Sequence, residues 1–349
     1  MKKLGFAASA ALLASTAMVQ AGGIERTTQS ISMIFEEGSY AEFALSFVAP
    51  SISGVDPTTA DTGDMASDYF GFSGGYKTDI GDKMALAVIF DQPFGADAEY
   101  SQGYYSGVNA HLTSNAVTVL ASYDLTDRFV IYGGGVAQEM SANAAVPLVG
   151  GYTATTGSDI GFGFVAGAAF QIPDIALRVS LTYRSEISTS HDTVEFGTLN
   201  SITNVTTPQS VNLEFQTGVN PKTLVFGAVR WVEWSQFEID PANYPLPTPL
   251  VSYDDDRIQF SLGVGRKLSD TLSAAVTVGY EKTLPGAASI LSPSSGNFSI
   301  GGGVTYSLGN AEITVGAKYL WLGDVVDTNG GVFENNNAIA AGIKYSITF

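Results

Sequence analysis

The stretch LRVSLTYR, residues 177–184, alternates apolar and polar side chains without a break. Successive side chains of a β-strand point to opposite faces, so its leucines, valine and tyrosine share one face and both arginines share the other. A strand with one apolar and one charged face is typical of a transmembrane barrel, where one face meets lipid and the other lines the lumen. A register slip of one residue would place both arginines in lipid. The same alternation occurs at 210–217 and 312–321.

The rest of the chain repeats this pattern at strand length. Short turns rich in Asp, Asn, Gly and Pro occur at 79–82, 124–127, 172–174, 220–222, 268–270 and 309–310, and longer connections lie at 49–67, 95–107, 143–157, 188–207, 238–254, 284–295 and 324–335. Membrane barrels combine short periplasmic turns with longer outside loops. The layout therefore predicts an all-β protein, a transmembrane antiparallel β-barrel of fourteen strands. Its last strand ends on an aromatic residue, Phe349, as outer-membrane barrels typically do.

The amino terminus resembles a secretory signal peptide. Lys2 and Lys3 precede an apolar run that ends in the small-residue site Val19-Gln20-Ala21. The alternative, an N-terminal membrane anchor, is weaker because the run is shorter than the roughly 20 residues that a spanning helix needs. We therefore expect a signal peptide at 1–21, a short N-terminal plug segment at 22–38 and a transmembrane β-barrel at 39–349.

Composition narrows the class of protein further. The chain has 16 basic and 34 acidic residues, so it carries a formal charge of −18 and is a poor partner for nucleic acid. It contains no cysteine, which removes disulfides and the commonest zinc and iron–sulfur ligand. Only 14% of its residues are charged and 39 are glycines, a combination that suits lipid-facing strands joined by tight turns.

Four local stretches resemble the outer-membrane family that transports long-chain fatty acids and hydrocarbons (FadL/TodX type, OmpP1). They are Pro93-Phe94-Gly95 before Tyr100, Tyr183-Arg184-Ser185, Thr207-Pro208-Gln209-Ser210, and Trp231 to Phe237. The resemblance implies a fourteen-stranded barrel with an amino-terminal plug, and diffusion of hydrophobic substrates without energy input. The chain departs from the family at the plug, which is short and has Phe35-Glu36-Glu37-Gly38 in place of an Asn-Pro-Ala stretch. The sequence therefore does not decide how the lumen is closed.

Pro93 cannot give a backbone N–H to a sheet ladder, so it should interrupt the third strand. In the family, a kink in that strand makes a side opening through the wall, and the resemblance places it here at Gln92, Pro93, Phe94 and Gly95. The alternative is that the third strand ends at Asp91 and Pro93 begins the second outside loop.

A carboxylate that crosses an apolar lumen needs a basic partner, because burying an unpaired charge is costly. Alternation places several basic side chains on the lumen face, and an apolar passage beside them would include Phe226. The predicted substrate-binding residues are Arg184, Arg178, Arg230, Lys318, Lys344 and Phe226, with Arg184 as the best single candidate. The alternative is a lumen network of salt bridges with residues such as Glu214 and Glu312.

The outside loops at 144–149, 244–251 and 284–291 are more apolar than exposed loops require. Val146, Leu148 and Val149 correspond to a loop that forms a hydrophobic groove in the family, although packing of the loop on itself would also explain them.

An enzyme is not expected. The only candidate general bases, His111 and His191, have no convincing nucleophile and acid beside them. Asp254-Asp255-Asp256 lacks the spaced ligands and glycine of a calcium loop, so neither a metal nor a cofactor is predicted.

Taken together, the sequence predicts a monomeric barrel in the outer membrane of a Gram-negative bacterium that transports long-chain fatty acids or similar hydrophobic compounds by facilitated diffusion. Its other partners would be membrane lipid, lipopolysaccharide and the barrel assembly machinery. The alternatives are a general diffusion porin, with a wet and charged passage, and an adhesin or structural barrel that uses only its outside loops.

Overall fold

The computed structural model describes residues 24–284 and 287–349, so the predicted signal peptide lies outside the described residues. The chain forms a closed antiparallel barrel of fourteen strands, as predicted. They are β1 (Tyr40–Ser51), β2 (Tyr69–Ile80), β3 (Met84–Asp91 and Gly95–Glu99), β4 (Asn109–Asp124), β5 (Phe129–Val146), β6 (Tyr152–Thr156 and Asp159–Ile172), β7 (Leu177–Arg184 and Ile187–Glu195), β8 (Leu199–Thr207 and Ser210–Asn220), β9 (Thr223–Val232), β10 (Arg257–Lys267), β11 (Leu272–Glu281), β12 (Asn297–Leu308), β13 (Ala311–Leu322) and β14 (Asn337–Thr348).

The barrel closes where its first and last strands pair. The ladder between β1 and β14 is continuous from Tyr40 opposite Thr348 to Ser51 opposite Asn337. Closure leaves the wall without a free edge there, so the backbone groups of these two strands are satisfied inside the sheet.

Side-chain exposure confirms the alternation that the sequence predicts. In β7, the lipid-facing Leu181 is 52% exposed, whereas its neighbours Ser180 and Thr182 are 2% and 3% exposed. Arg184 is also buried and lies on the same inward face. The charged face of the quoted stretch therefore lines the lumen.

The outer half of the barrel differs from the sequence prediction. The connection expected at 188–207 is a hairpin in which β7 and β8 continue as paired strands and turn only at 196–198. Polar residues on both faces of this hairpin give no alternation that would predict a strand, but its inward side chains Thr189, His191 and Thr193 are buried. Strands β3 and β5 likewise extend into the connections expected at 95–107 and 143–157.

Short elements complete the described chain. The remaining strands are Gly54–Val55, Glu238–Ile239, Val251–Ser252, Ala287–Ala288, Val325–Asp327 and Val332–Phe333, and the 3-10 turns are Ser32–Phe35, Pro173–Ile175 and Trp234–Gln236. Within residues 24–284 and 287–349, no helix is long and apolar enough to cross a membrane.

Four of the short strands form a second sheet at the outer end, which we call the roof. It joins the loops after β1, β11 and β13 in the order Ala287–Ala288, Val325–Asp327, Val332–Phe333 and Gly54–Val55. Tyr105, from the loop after β3, is fully buried beside it and donates a hydrogen bond of 2.5 Å to Oδ2 of Asp327. Burial, together with this carboxylate, raises the pKa of the Tyr105 phenol, so the hydroxyl stays a donor. The roof thereby ties four outside loops together.

A second polar contact joins the loop at 52–68 to the loop at 100–108. Asp56 is 3% exposed, and its carboxylate accepts hydrogen bonds from the backbone N–H of Tyr104, at 2.6 Å, and of Thr58, at 2.8 Å. The Tyr104 bond is the main reason that the pKa of Asp56 is lowered to about 2.

Candidate functional site

The chain before β1, residues 24–38, lies inside the barrel; we call it the amino-terminal segment. Its Glu25 forms an ion pair with Arg230 of β9, and both side chains are almost wholly buried. Arg230 also donates to Oδ1 of Asn212, at 2.6 Å, and Asn212 donates to the carbonyl of Thr28, at 3.1 Å. The predicted substrate residue Arg230 therefore holds the segment in this structure.

Arg184 contacts the same segment four residues after Glu25. Its Nη2 donates to the carbonyl of Gln29 at 3.0 Å, and its Nη1 lies 3.4 Å from Oγ1 of Thr118. Its Nε is buried and has no hydrogen-bond partner among the described residues. Arg184 thus keeps one donor for a further acceptor.

Two other predicted basic residues lie nearer the periplasmic end. The guanidinium of Arg178 lies 4.4 Å from the ring centroid of Phe35 in the amino-terminal segment, and it donates to Oε1 of Gln216 at 3.2 Å. Nζ of Lys344 donates to Oε2 of Glu42 at 3.3 Å. The contact of Lys344 is a lumen salt bridge, as the alternative interpretation expects. The contact of Arg178 with Phe35 is a cation–π interaction.

Lys318 lines a polar chamber on the β8 to β13 side of the lumen. Gln259, Thr277 and Glu281 line the same chamber, and neither Oε1 of Gln259 nor Oγ1 of Thr277 has a hydrogen-bond partner among the described residues. Phe226 does not reach this chamber. It packs near the periplasmic end against Leu224 and over Gly263, where a Cβ would overlap its ring. The structure therefore does not bring the six predicted residues together at one point.

An apolar chamber lies outward of the Glu25–Arg230 pair. Together with its opening to solvent it contains about 600 Å³ of empty space, and its lining is almost entirely carbon. Most of its lining comes from β4, β5 and the loop after β9, and it includes Ile24, Leu112, Ala142, Leu250, Val251 and Leu291. The predicted loop residues do not line the chamber. Val146 is buried in the apolar cluster that includes several lining residues, Val149 packs against that cluster, and Leu148 is 36% exposed.

The wall has a gap between β2 and β3, beside the amino-terminal segment. Their ladder ends with Gly74 opposite Phe90 and the strands meet again only at the bridge from Ala66 to Ala98. The interruption was predicted at Gln92 to Gly95. Gln92 to Phe94 lie in this gap, whereas β3 already resumes at Gly95. The second strand half continues the barrel, so the structure has an interruption within β3 and not the end of the strand at Asp91.

The amino-terminal segment occupies the backbone groups that β2 leaves unpaired. The carbonyl of Pro93 accepts from the N–H of Arg26, and the N–H of Gly95 donates to the carbonyl of Ile24, both at 2.7 Å. Thr27 also donates to Oδ2 of Asp91, at 2.9 Å. The gap in the wall and the amino-terminal segment are therefore one structural unit.

Sequence reasoning missed the partners in this unit, namely Glu25, Arg26, Asp91 and Asp97. One signal could have suggested two of them, since Glu25 and Arg26 are the only charged residues between 22 and 35. Such a pair in a stretch bound for a barrel interior needs partners of opposite charge.

No catalytic or metal centre is evident in the described part of the chain. His191 is buried and its ring nitrogens contact the carbonyl of Gly157 and Oγ1 of Thr189, whereas His111 contacts Asp97 on the wall. Residues 24–284 and 287–349 contain no group of three or more His, Asp or Glu placed to hold a metal ion.

Comparisons with known proteins agree with this architecture. The sequence profile of the family described as outer membrane protein transport protein (OMPP1/FadL/TodX) matches residues 8–348. No curated protein matches the chain in sequence.

Three solved structures share the fold. A FadL homologue of Pseudomonas aeruginosa is 13% identical, with a TM-score of 0.73 over 91% of this chain and 92% of its own. The toluene transporter TodX of P. putida is 16% identical, with a TM-score of 0.67 over 90% of this chain and 91% of its own. The toluene transporter TbuX of Ralstonia pickettii is 17% identical, with a TM-score of 0.66 over 90% of both chains.

Proposed function

Because the chain belongs to the OMPP1/FadL/TodX family of outer membrane transport proteins, we propose that it carries long-chain fatty acids or similar hydrophobic compounds into the outer membrane by facilitated diffusion. The family consists of transport channels for hydrophobic small molecules in the outer membrane of Gram-negative bacteria. The choice of substrate within that class is our proposal.

The apolar chamber is the observation that carries the proposal. Its apolar lining lies outward of the Glu25–Arg230 pair, and we propose that a compound enters the chamber from the outside loops past Val146, Leu148 and Val149. Removing apolar surface from water stabilises binding by roughly 25 cal/mol per Å². A long acyl chain therefore gains more there than a small polar solute does.

Arg184 is our candidate for the carboxylate contact. Its buried Nε has no partner among the described residues, and its Nη2 is held only by the Gln29 carbonyl of the amino-terminal segment. A carboxylate accepts two parallel N–H bonds from a guanidinium and so binds it more strongly than a carbonyl does. We propose that a fatty acid reaches Arg184 when the segment, acting as a plug, moves away from it.

A general porin is the second candidate, and the polar chamber around Lys318 is the observation that favours it. Against it, the amino-terminal segment crosses the lumen and is anchored on several strands, from Asp91 of β3 to Arg230 of β9. A general porin needs a continuous water-filled channel through the barrel, and the amino-terminal segment lies across that path. We also propose that the barrel acts as a monomer, with lipopolysaccharide and the barrel assembly machinery as its other partners.

The experiment is binding of a fluorescent long-chain fatty acid to purified, detergent-folded protein. The wild type should bind it saturably, and Arg184→Ala should weaken binding of the acid but not of the matched uncharged alcohol. Arg266→Ala, at an exposed position of β10, is the control and should change neither. No saturable binding, together with ion conductance in planar bilayers, would favour the porin.

A further inference from the structure

The gap between β2 and β3 passes through the wall. The cleft in it is lined by Ser46 and Val48, whose side chains face the lumen, and by Leu45 and Phe72, which are 45% and 42% exposed on the lipid side. Above and below, the pairs Ala66–Ala98 and Gly74–Phe90 close the wall. The cleft is therefore bounded on all sides and reaches both faces of the barrel.

Two side chains fill this cleft. From the lipid side, Oε1 of Gln92 accepts from the backbone N–H of Phe72 at 3.1 Å, which replaces one missing rung of the ladder. From the lumen side, the side chain of Arg26 enters the cleft and its guanidinium lies 4.0 Å from the ring centroid of Tyr69.

Arg26 ends in an ion pair on the far side of the gap. Its Nη2 pairs with Oδ2 of Asp97 in β3, whose other oxygen contacts Nδ1 of His111 in β4. The side chains of Arg26 and Asp97 are only 14% and 19% exposed, so water screens this pair less than a surface salt bridge. The contact joins the amino-terminal segment, β2 and β3 at one point.

Gly95 makes this arrangement possible. A Cβ at position 95 would overlap the Arg26 guanidinium, so any residue larger than glycine must displace the guanidinium from this place. The backbone bonds of Arg26 to Pro93 and of Gly95 to Ile24 then fix the side chain across the cleft.

We propose that Arg26 is the gating residue of this wall opening: its side chain blocks the cleft, and a hydrophobic substrate passes from lumen to membrane only when Arg26 separates from Asp97. The inference rests on the proposed function, because it assumes that substrate leaves sideways through the wall. It assigns the barrier to one side chain and its ion pair, separate from the movement of the segment as a whole.

The test uses uptake of a labelled long-chain fatty acid by a Gram-negative host that lacks its own transporter of this class. Arg26→Ala should raise the initial rate about tenfold, the change that follows when a barrier falls by about 1.4 kcal/mol. Asp97→Asn, which keeps the shape but removes the charge, should raise it less. Gly95→Ala, which displaces the guanidinium while keeping Arg26, should act in the same direction as Arg26→Ala. Arg128→Ala, in an exposed turn, is the control.

An engineered disulfide distinguishes the effect of the Arg26 side chain from the effect of movement of the whole segment. The chain has no cysteine, and the side chains of Thr27 and Asp91 are hydrogen-bonded, so Thr27→Cys with Asp91→Cys is the pair chosen to tie the segment to β3, with loss of free thiol as the check that the disulfide has formed. The tie fixes Thr27 and not Gln29, whose separation from Arg184 the proposed function requires. In that oxidised background Arg26→Ala should therefore still raise uptake relative to Arg26. An unchanged rate in both backgrounds, with transport by the wild type intact, would overturn the gating role alone. No uptake by the wild type, with no binding in the chamber, would overturn the proposed function and this inference with it.

Discussion

The roof and the amino-terminal segment both close the barrel, but different forces hold them. The roof is built from backbone ladders between three loops, and its core includes Tyr105 and Phe333, which are fully buried. Residues 24–30 of the amino-terminal segment have one isolated bridge to the wall, from Glu25 to Phe94, and are otherwise anchored by single side chains such as Arg230 and Arg184. The following residues are held differently, because Ile31, Met33 and Ile34 are buried in an apolar cluster with the wall.

This difference separates a permanent closure from a removable one. Ladder hydrogen bonds and apolar burial are distributed over many groups, so no single change removes them. Residues 24–30, which are anchored by a few charged contacts, can leave the wall when those contacts are exchanged for others. We therefore expect variants of the charged contacts to release residues 24–30 while the wall, the roof and the apolar cluster around Ile31 stay folded.

The largest effect is expected from Arg230→Met, which leaves the carboxylate of Glu25 buried without its cation. Breaking a buried pair in this way typically costs about 3 to 5 kcal/mol. Hydrogen exchange of residues 24–30 should rise steeply, while the barrel keeps its heat-modifiable migration on a gel.

The double variant Arg230→Met with Glu25→Gln is the matched control. Removing both charges leaves no unpaired ion, so part of the protection of the segment should return. Equal exchange of the segment in wild type and Arg230→Met would mean that the ion pair does not anchor it.

A smaller effect is expected in the roof from Tyr105→Phe. Oδ2 of Asp327 loses its phenolic donor, whereas Oδ1 keeps its bonds from the backbone N–H groups of Asn329 and Gly331 at 2.7 and 3.0 Å. Leaving one buried acceptor oxygen without its donor costs about 1 to 3 kcal/mol. Exchange should rise in 325–333 and stay constant in 24–38. Tyr104→Phe, at a ring that is 47% exposed, should change neither. Release of the amino-terminal segment by Tyr105→Phe would show that the two closures are coupled.

The wall was predictable because its signal is local. Alternation with a period of two residues places Ser180, Thr182 and Arg184 on one face whatever the rest of the chain does. The hairpin at 187–207 was not predictable in this way, since Ser188, Thr189 and Ser190 give no apolar face to distinguish strand from loop. There the pairing with the neighbouring strand decides the structure.

The candidate site was predictable only in part, because its partners are far apart in sequence. Alternation places Arg184 and Arg230 in the lumen, but their partners Gln29 and Glu25 are 155 and 205 positions away. Which acceptor each arginine meets depends on the path of the amino-terminal segment inside the closed barrel. A pattern within one strand carries no information about that path.

The smallest effect concerns pH and the contact between the loops at 52–68 and 100–108. The hydrogen bond from the Tyr104 N–H lowers the pKa of Asp56 from 3.8 to about 2. A lowered pKa means that the folded loops favour the carboxylate, so Asp56 stabilises this contact fully above pH 3.8 and loses that contribution as the pH falls through about 2. Pepsin, which is active across this interval, should therefore cut the loop at 52–68 severalfold faster at the acid end. Asp56→Asn keeps an acceptor oxygen without the charge, and its cleavage rate, corrected for the pH dependence of pepsin on a peptide substrate, should stay flat. If wild type and Asp56→Asn show the same acid dependence, carboxylates other than Asp56 control the stability of the contact between these two loops.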